Sequence, residues 1–186
     1  MDFNTINNHK SNSRWANMKT FRHVLYSKLM ASPTTQLEIK AIVMHRRTHE
    51  PTVILQDTGG LHTVPVPVAS AEAGALVIGF DESGPGVPLP HDIVVQLFSA
   101  HRFTPQNVMF RVDESGRLFS TLWYRFRRRV HSIAMQPGDA LTIAIRLSVP
   151  ILIPTEQLVH YSPPGIPDSL DVFSQDVLLL GHPFNG

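Results

Sequence analysis

The chain has 186 residues and no cysteine, a length that suits one domain with tails and a composition that excludes disulfides and thiolate metal sites. A hydrophobic fraction of 42% is enough for a real core and excludes a disordered chain. The formal net charge of +1, with histidines neutral, excludes a bulk polycation, so any contact with nucleic acid must come from a local basic patch.

Residues 1–36 read as a flexible basic arm outside the core. They carry Lys10, Arg14, Lys19, Arg22 and Lys28 against a single acid, Asp2, and Asn and Ser dominate their first thirteen positions. No long apolar run there resembles a signal peptide, and no apolar stretch anywhere reaches membrane-spanning length, so the expected location is the cytoplasm. The folded pattern begins at Leu37. Leu37–Arg46 alternates as a strand, His49-Glu50-Pro51 turns, and Val53–Gln56 is a second strand. Asp57-Thr58-Gly59-Gly60 signals a hairpin into a third strand, Leu61–Val68. Pro65 and Pro67 both lack donors on one side of that strand, which predicts an edge. Ser70–Phe80 and Pro90–Ala100 are helices around a Gly/Pro loop, Asp81–Leu89; Ile93, Val94, Leu97 and Phe98 recur at helical spacing in the second.

The theme then recurs. Strands are expected at Asn107–Asp113, Leu118–Phe126 and Arg129–Met135, with turns at Glu114-Ser115-Gly116 and Arg127-Arg128. Pro137 opens a helix to Leu147, Pro150–Ile153 is extended, and Pro154–Tyr161 forms a last helical turn or two. An offset of 67 residues aligns Val66 with Ile133, Glu72 with Asp139 and Ile78 with Ile145. The expected fold is therefore α+β: two β-β-β-α type repeats forming a curved mixed, largely antiparallel sheet with packed helices. The expected core includes Ile39, Ile42, Val53, Leu55, Leu76, Ile93, Leu97, Leu141 and Ile145. Residues 162–186 are a Pro-rich, then apolar tail that docks on the domain or on a partner subunit. So many strand edges need covering, which predicts a homodimer or small homo-oligomer.

Three segments carry a family resemblance. Val64-Pro65-Val66-Pro67-Val68-Ala69-Ser70-Ala71-Glu72-Ala73 is similar to the strand-to-helix passage of the bifunctional nuclease family. Val87-Pro88-Leu89-Pro90-His91-Asp92 resembles that family's Arg-Pro-x-Thr-His-Asp, and Gln136-Pro137-Gly138-Asp139-Ala140-Leu141 resembles its Arg-Pro-Ser-Asp-Ala-Ile. The resemblance covers about Leu37 to Tyr161 and implies a nuclease that cuts RNA and DNA with low sequence preference. The chain departs from the pattern at Val87 and Gln136, where the family has Arg, at Pro90 and Gly138, which replace Thr and Ser, and at Ala69, where Gly is common. The two missing arginines remove cations that hold phosphate. The alternative is a catalytically degenerate binding or regulatory module of the same fold.

Phosphodiester hydrolysis needs an activated water and neutralisation of phosphoryl charge, often through carboxylates that hold a divalent metal. Glu72 and Asp139 are the expected catalytic pair and the expected ligands of a magnesium or manganese ion. His91 is a candidate general acid/base or ligand, and Asp92 completes the set. The plain alternative is that each acid caps a helix and interacts with its dipole, worth about 0.3–1 kcal/mol. No phosphate-binding Gly loop or Gly-x-Ser-x-Gly element is present, and no organic cofactor is expected. Arg125, Arg127, Arg128 and Arg129, behind Trp123 and Tyr124, are the candidate nucleic-acid contacts; a solvated hairpin is the alternative. His45, Arg46, Arg47 and His49 make a second cationic turn, read as exposed.

Overall fold

The first strand starts earlier than the alternation at Leu37 suggests. A computed structural model describes residues 32–44, 49–80, 88–161 and 177–178. Strand β1 (Thr34–Met44) takes in the last three residues assigned to the arm because Thr34–Leu37 pair antiparallel with β7 (Ile151–Pro154). On its other side β1 pairs with β2 (Pro51–Asp57), which pairs with β3 (Thr63–Pro67). The β2–β3 turn is built as its residues dictate: Gly60, at φ 71°, donates to the Asp57 carbonyl at 2.9 Å, and the Asp57 carboxylate accepts the His62 N–H at 2.7 Å. Strands β4 (Thr104–Val112), β5 (Leu118–Phe126) and β6 (Arg129–Met135) form a second antiparallel unit.

The order across the sheet is β3-β2-β1-β7-β4-β5-β6. Only β7 against β4 is parallel, so β7 is the seam between two three-strand units. A two-residue strand, β8 (Val177–Leu178), pairs with β1 at Val43 and Ile42, which brings part of the C-terminal tail onto the domain. Four helices complete the described residues: α1 (Ser70–Phe80), α2 (Pro90–Ala100), α3 (Pro137–Arg146) and α4 (Thr155–His160). The fold is mixed α+β with a mostly antiparallel sheet. The two units lead into different elements: α1 and α2 come after β3, but α3, β7 and α4 come after β6. No helix among the described residues is long and apolar enough to cross a membrane.

The core lies between the sheet and the helices. Val53, Leu55, Leu76 and Leu141 are fully buried and Ile42 nearly so, with Ile39 and Ile145 packed at the margin. Each fully buried aliphatic side chain contributes about 1.5–3 kcal/mol relative to exposure. Ile93 and Leu97 do not belong to this core: they are 52% and 49% exposed. The run in α2 contains two i,i+4 pairs offset by one residue, and the inward pair is Phe98, buried, with Val94, partly buried. The aromatic neighbours decide the face, since the Phe98 ring lies 5.4 Å from Phe103 and 5.1 Å from Tyr124, edge-on to both.

Helices α2 and α3 end in the same way. Phe103 N–H donates to Phe98 O and Arg102 N–H to Ser99 O; at α3, Val149 N–H donates to Ala144 O and Ser148 N–H to Ile145 O. This double closure needs a left-handed residue, usually Gly, but here Arg102 (φ 54°) and Ser148 (φ 51°) fill the position at a cost of about 1–2 kcal/mol each. The sheet's outer strands are β3 and β6. On β3 the Pro65 carbonyl accepts the Tyr161 hydroxyl at 3.2 Å, and burial pushes that phenol up to about 12.

Candidate active site

Three helix starts meet at the N-terminus of α3. Pro137 occupies the first turn, where its missing N–H costs nothing, and Gly138 and Asp139 come next. Helix α1 runs beside α3 in the same direction. At its start, Glu72 lies against Gly138: a Cβ placed on Gly138 would fall 2.5 Å from the Glu72 carboxyl carbon. Further along, a Cβ on Gly79 would be 3.8 Å from Ile145. Glycine at 138 is therefore what allows the Glu72 carboxylate to sit at the α3 start; the serine of the family pattern would collide with it. The Glu72 Oε2 also accepts the Ala69 N–H at 2.7 Å, so this acid caps its own helix as well.

Helix α2 delivers the second pair. The ring Nε2 of His91 lies 3.1 Å from Asp139 Oδ1. The ring is largely buried while Asp139 is 46% exposed, so solvent reaches the carboxylate and the imidazole orients it. The other ring nitrogen, Nδ1, is buried without a partner. With its proton on Nε2, the His91 ring donates to Asp139; the tautomer with the proton on Nδ1 would bury an unmatched N–H and set a lone pair against the carboxylate. Asp92 points elsewhere. It accepts the Leu89 N–H at 2.7 Å and pairs with Arg146, from the far end of α3. The Arg146 guanidinium is mostly buried, with Nε and Nη2 unpartnered, so this cation is committed to Asp92 and the α2–α3 contact.

An open cleft of about 420 Å³ lies beside these starts, with Glu50, Pro67, Val68, Glu72, Gln136 and Gly138 in its wall. Gln136, one of the two arginine losses, thus shares a cleft with Glu72; Val87, the other, lies outside the described residues. Asp139, His91 and Asp92 are not in this wall. Glu72 and Asp139 sit at adjacent helix starts but answer to different partners. Among the described residues no three His, Asp or Glu side chains come together in a way that would hold a metal ion.

The arginine hairpin is far from the cleft. Arg125, Arg127, Arg128 and Arg129 are all exposed around the β5–β6 turn, at the opposite end of β6 from Gln136. Arg127 takes φ 55° and its guanidinium lies 5.3 Å from the Phe126 ring centre. His49 is exposed at φ 54°, while His45, Arg46 and Arg47 lie outside the described residues, as does most of the Asp81–Leu89 loop. The packing role of Gly138 and the burial of Arg146 were not visible from spacing. A glycine just inside a proline-led helix start was the available signal for the first.

Two proteins of Mycobacterium tuberculosis, from strains CDC 1551 / Oshkosh and ATCC 25618 / H37Rv and both called uncharacterized, are 24% identical to this chain over 136 residues. The shared region covers 73% of this chain and 80% of each of theirs. The pattern of the bifunctional nuclease domain matches residues 53–162, from β2 through α4, and so includes all three helix starts and the arginine hairpin. That match takes in more than half of the sequence, and the chain belongs to the bifunctional nuclease domain family.

Proposed function

We propose that this domain hydrolyses phosphodiester bonds in RNA and DNA with low sequence preference, at the meeting of the α1, α2 and α3 starts. The observation that carries the reading, beside family membership, is the pair of carboxylates at neighbouring helix starts, each oriented by a separate partner: Glu72 by the Ala69 N–H and Asp139 by His91. The free N–H groups of the α3 first turn favour a phosphate oxygen. Asp139, the solvent-reached member, takes the proton of the attacking water; the water oxygen bonds to phosphorus, the ester oxygen leaves, and solvent protonates it. His91 holds Asp139 in position and Glu72 fixes the geometry of the cleft wall. Arg125, Arg127, Arg128 and Arg129 contact the polyanion away from the reacting bond. The same reading includes self-association into a homodimer or small oligomer, since β6 ends the sheet with no described strand beyond it.

One observation favours a second reading. Gln136 stands in the cleft wall with Glu50 and Glu72, so the described residues of that wall present two acids and no cation to a phosphate. A binding module that has lost hydrolysis fits this charge pattern. Purified full-length chain incubated with single-stranded RNA or DNA separates the two. Hydrolysis is expected, and Glu72→Gln and Asp139→Asn should abolish it while the fold survives. Parallel reactions with magnesium, manganese or a chelator distinguish a metal-requiring reaction from one run by the side chains alone. Equal activity in wild type and both variants would reveal contamination or a misplaced site. A well-folded wild type inactive under every condition would establish the binding module. Light scattering on the same sample should give more than a monomer mass.

A further inference from the structure

We propose that the end of the sheet opposite the helix starts anchors single-stranded nucleic acid and thereby sets a minimum length on what the acidic end can process. The length requirement rests on the nuclease reading; the anchoring does not. Five arginines surround this end: Arg125, Arg127, Arg128 and Arg129 on the β5–β6 hairpin, and Arg102 just past α2. All are exposed, and none forms an ion pair among the described residues. The chain contains no Asp or Glu from Ile93 to Val112 or from Ser115 to Gly138, so the strands that build this end bring no acid to it. The acids of the cleft, Glu50 and Glu72, and their neighbour Asp139 lie at the other end.

The cations are interleaved with rings. Phe103 and Phe126 meet edge to face at 5.0 Å, exposed His101 stacks on Phe103 at 5.7 Å, and Arg127 lies over Phe126. Positive charge that tracks a backbone, together with aromatic faces, is the chemistry of sequence-tolerant single-strand binding, because every base has a face to stack. A duplex keeps those faces covered, and an acidic polypeptide has none. Arg102 and Arg127 also hold left-handed backbone positions that glycine fits better, so cationic side chains persist here against local backbone preference.

Two elements measure the distance between the ends. Helix α2 runs from Pro90, beside His91, to Ala100, its 11 residues spanning about 16 Å at roughly 1.5 Å each. Strand β6 runs from the hairpin to Met135, its 7 residues spanning about 20–23 Å. At a helical rise of about 3.4 Å per nucleotide, a strand needs on the order of five to seven nucleotides to touch both ends.

The test uses the full chain and labelled oligothymidylates of about 3, 6, 12 and 20 nucleotides, with anisotropy measured under chelation and cleavage measured separately. The informative variant is Arg102→Gly with Arg127→Gly, which removes two charges while placing glycine where the backbone favours it, so unfolding does not explain a loss. Wild type should bind more tightly as length passes about six nucleotides. The double variant should lose about tenfold in affinity, and its log K against log salt slope should flatten by about 1.4, with an unchanged or higher Tm. Unchanged affinity in the double variant would overturn the anchor. So would equal binding of a duplex of the same length, or displacement of the oligonucleotide by polyglutamate at equal charge. Length-dependent binding with no cleavage at any length would sink the nuclease reading and leave the anchor standing. Cleavage and binding that are both indifferent to length would do the reverse.

Discussion

Replacing Gly138 with alanine tests whether the position of the Glu72 carboxylate matters. The new methyl would stand 2.5 Å from the Glu72 Cδ, 2.6 Å from Oε2 and 2.9 Å from Cβ. Comfortable carbon contacts begin near about 3.5 Å, so the carboxylate has to move by about 1 Å. Rotation about the side chain relieves the first two contacts but not the third, which asks the α1 and α3 starts to part by a few tenths of an ångström. Stability changes little, because two small effects oppose. Losing the Ala69 N–H bond costs about 0.5–1.5 kcal/mol, and removing a helical glycine returns up to about 1 kcal/mol. The Tm should therefore stay within about 4 °C of wild type. A misplacement of about 1 Å in the wall that positions the substrate costs on the order of 10–100-fold in rate, and kcat/KM should fall by that amount. Gly74→Ala is the control: its Cβ meets nothing within 4 Å, so it should stabilise α1 and leave hydrolysis alone. Wild-type rates in a well-folded Gly138→Ala protein would refute the argument, and a Tm loss well beyond about 4 °C would mean that helix separation dominates.

Two predictions concern stability. Phe98→Ala should cost about 3–5 kcal/mol in urea unfolding, because Phe98 is 5% exposed, whereas Leu97→Ala, with Leu97 half exposed, should cost under about 1 kcal/mol; the opposite ranking would mean that the face of α2 is misassigned. Asp113 is held at about 2 by the Ser115 hydroxyl and the Arg117 backbone N–H, so its contribution is fully present above the ordinary carboxylate range and lost as pH falls toward about 2. The urea midpoints of wild type and Asp113→Asn should differ at pH near 5 and converge as pH approaches about 2; a constant gap would show that the carboxylate's charge is not responsible.

Much of the fold was legible because its elements carry local signals. Alternation from Leu37 placed most of β1, Asp57-Thr58-Gly59-Gly60 placed the β2–β3 hairpin, Pro137 placed the start of α3, and the prolines of β3 placed it at an edge. The errors have physical causes. Thr34–Gln36 are polar and carry no strand period; they become strand because β7, more than a hundred residues later, offers them partners. In α2 two apolar pairs are offset by a single residue, and only the rings of Phe103 and Tyr124 select Phe98 over Leu97. The site was half visible. His91, Asp139 and Glu72 stood out as chemistry-bearing residues, but periodicity does not foretell that His91 faces Asp139 while Asp92 turns to Arg146. The aromatic group beside the arginines depends on the register that sets Thr104 opposite Arg125, which no local pattern contains.

The seam strand has a consequence for how the chain is made. The β1–β2–β3 unit is complete at Pro67 and the β4–β5–β6 unit at Met135, and each closes through neighbouring hairpins. Residues 151–154, which join them, are synthesised last among the sheet's main strands. At about 5–20 residues per second, the first unit waits on the order of 4–17 s on the ribosome with Thr34–Leu37 unpaired by their eventual neighbour. During translation the exposed edge lies in the middle of the future sheet, where no proline guards it. Overcrowded synthesis should therefore produce mispairing at that inner edge, between half-made chains, and slower elongation across residues 68–150 should prolong the hazard.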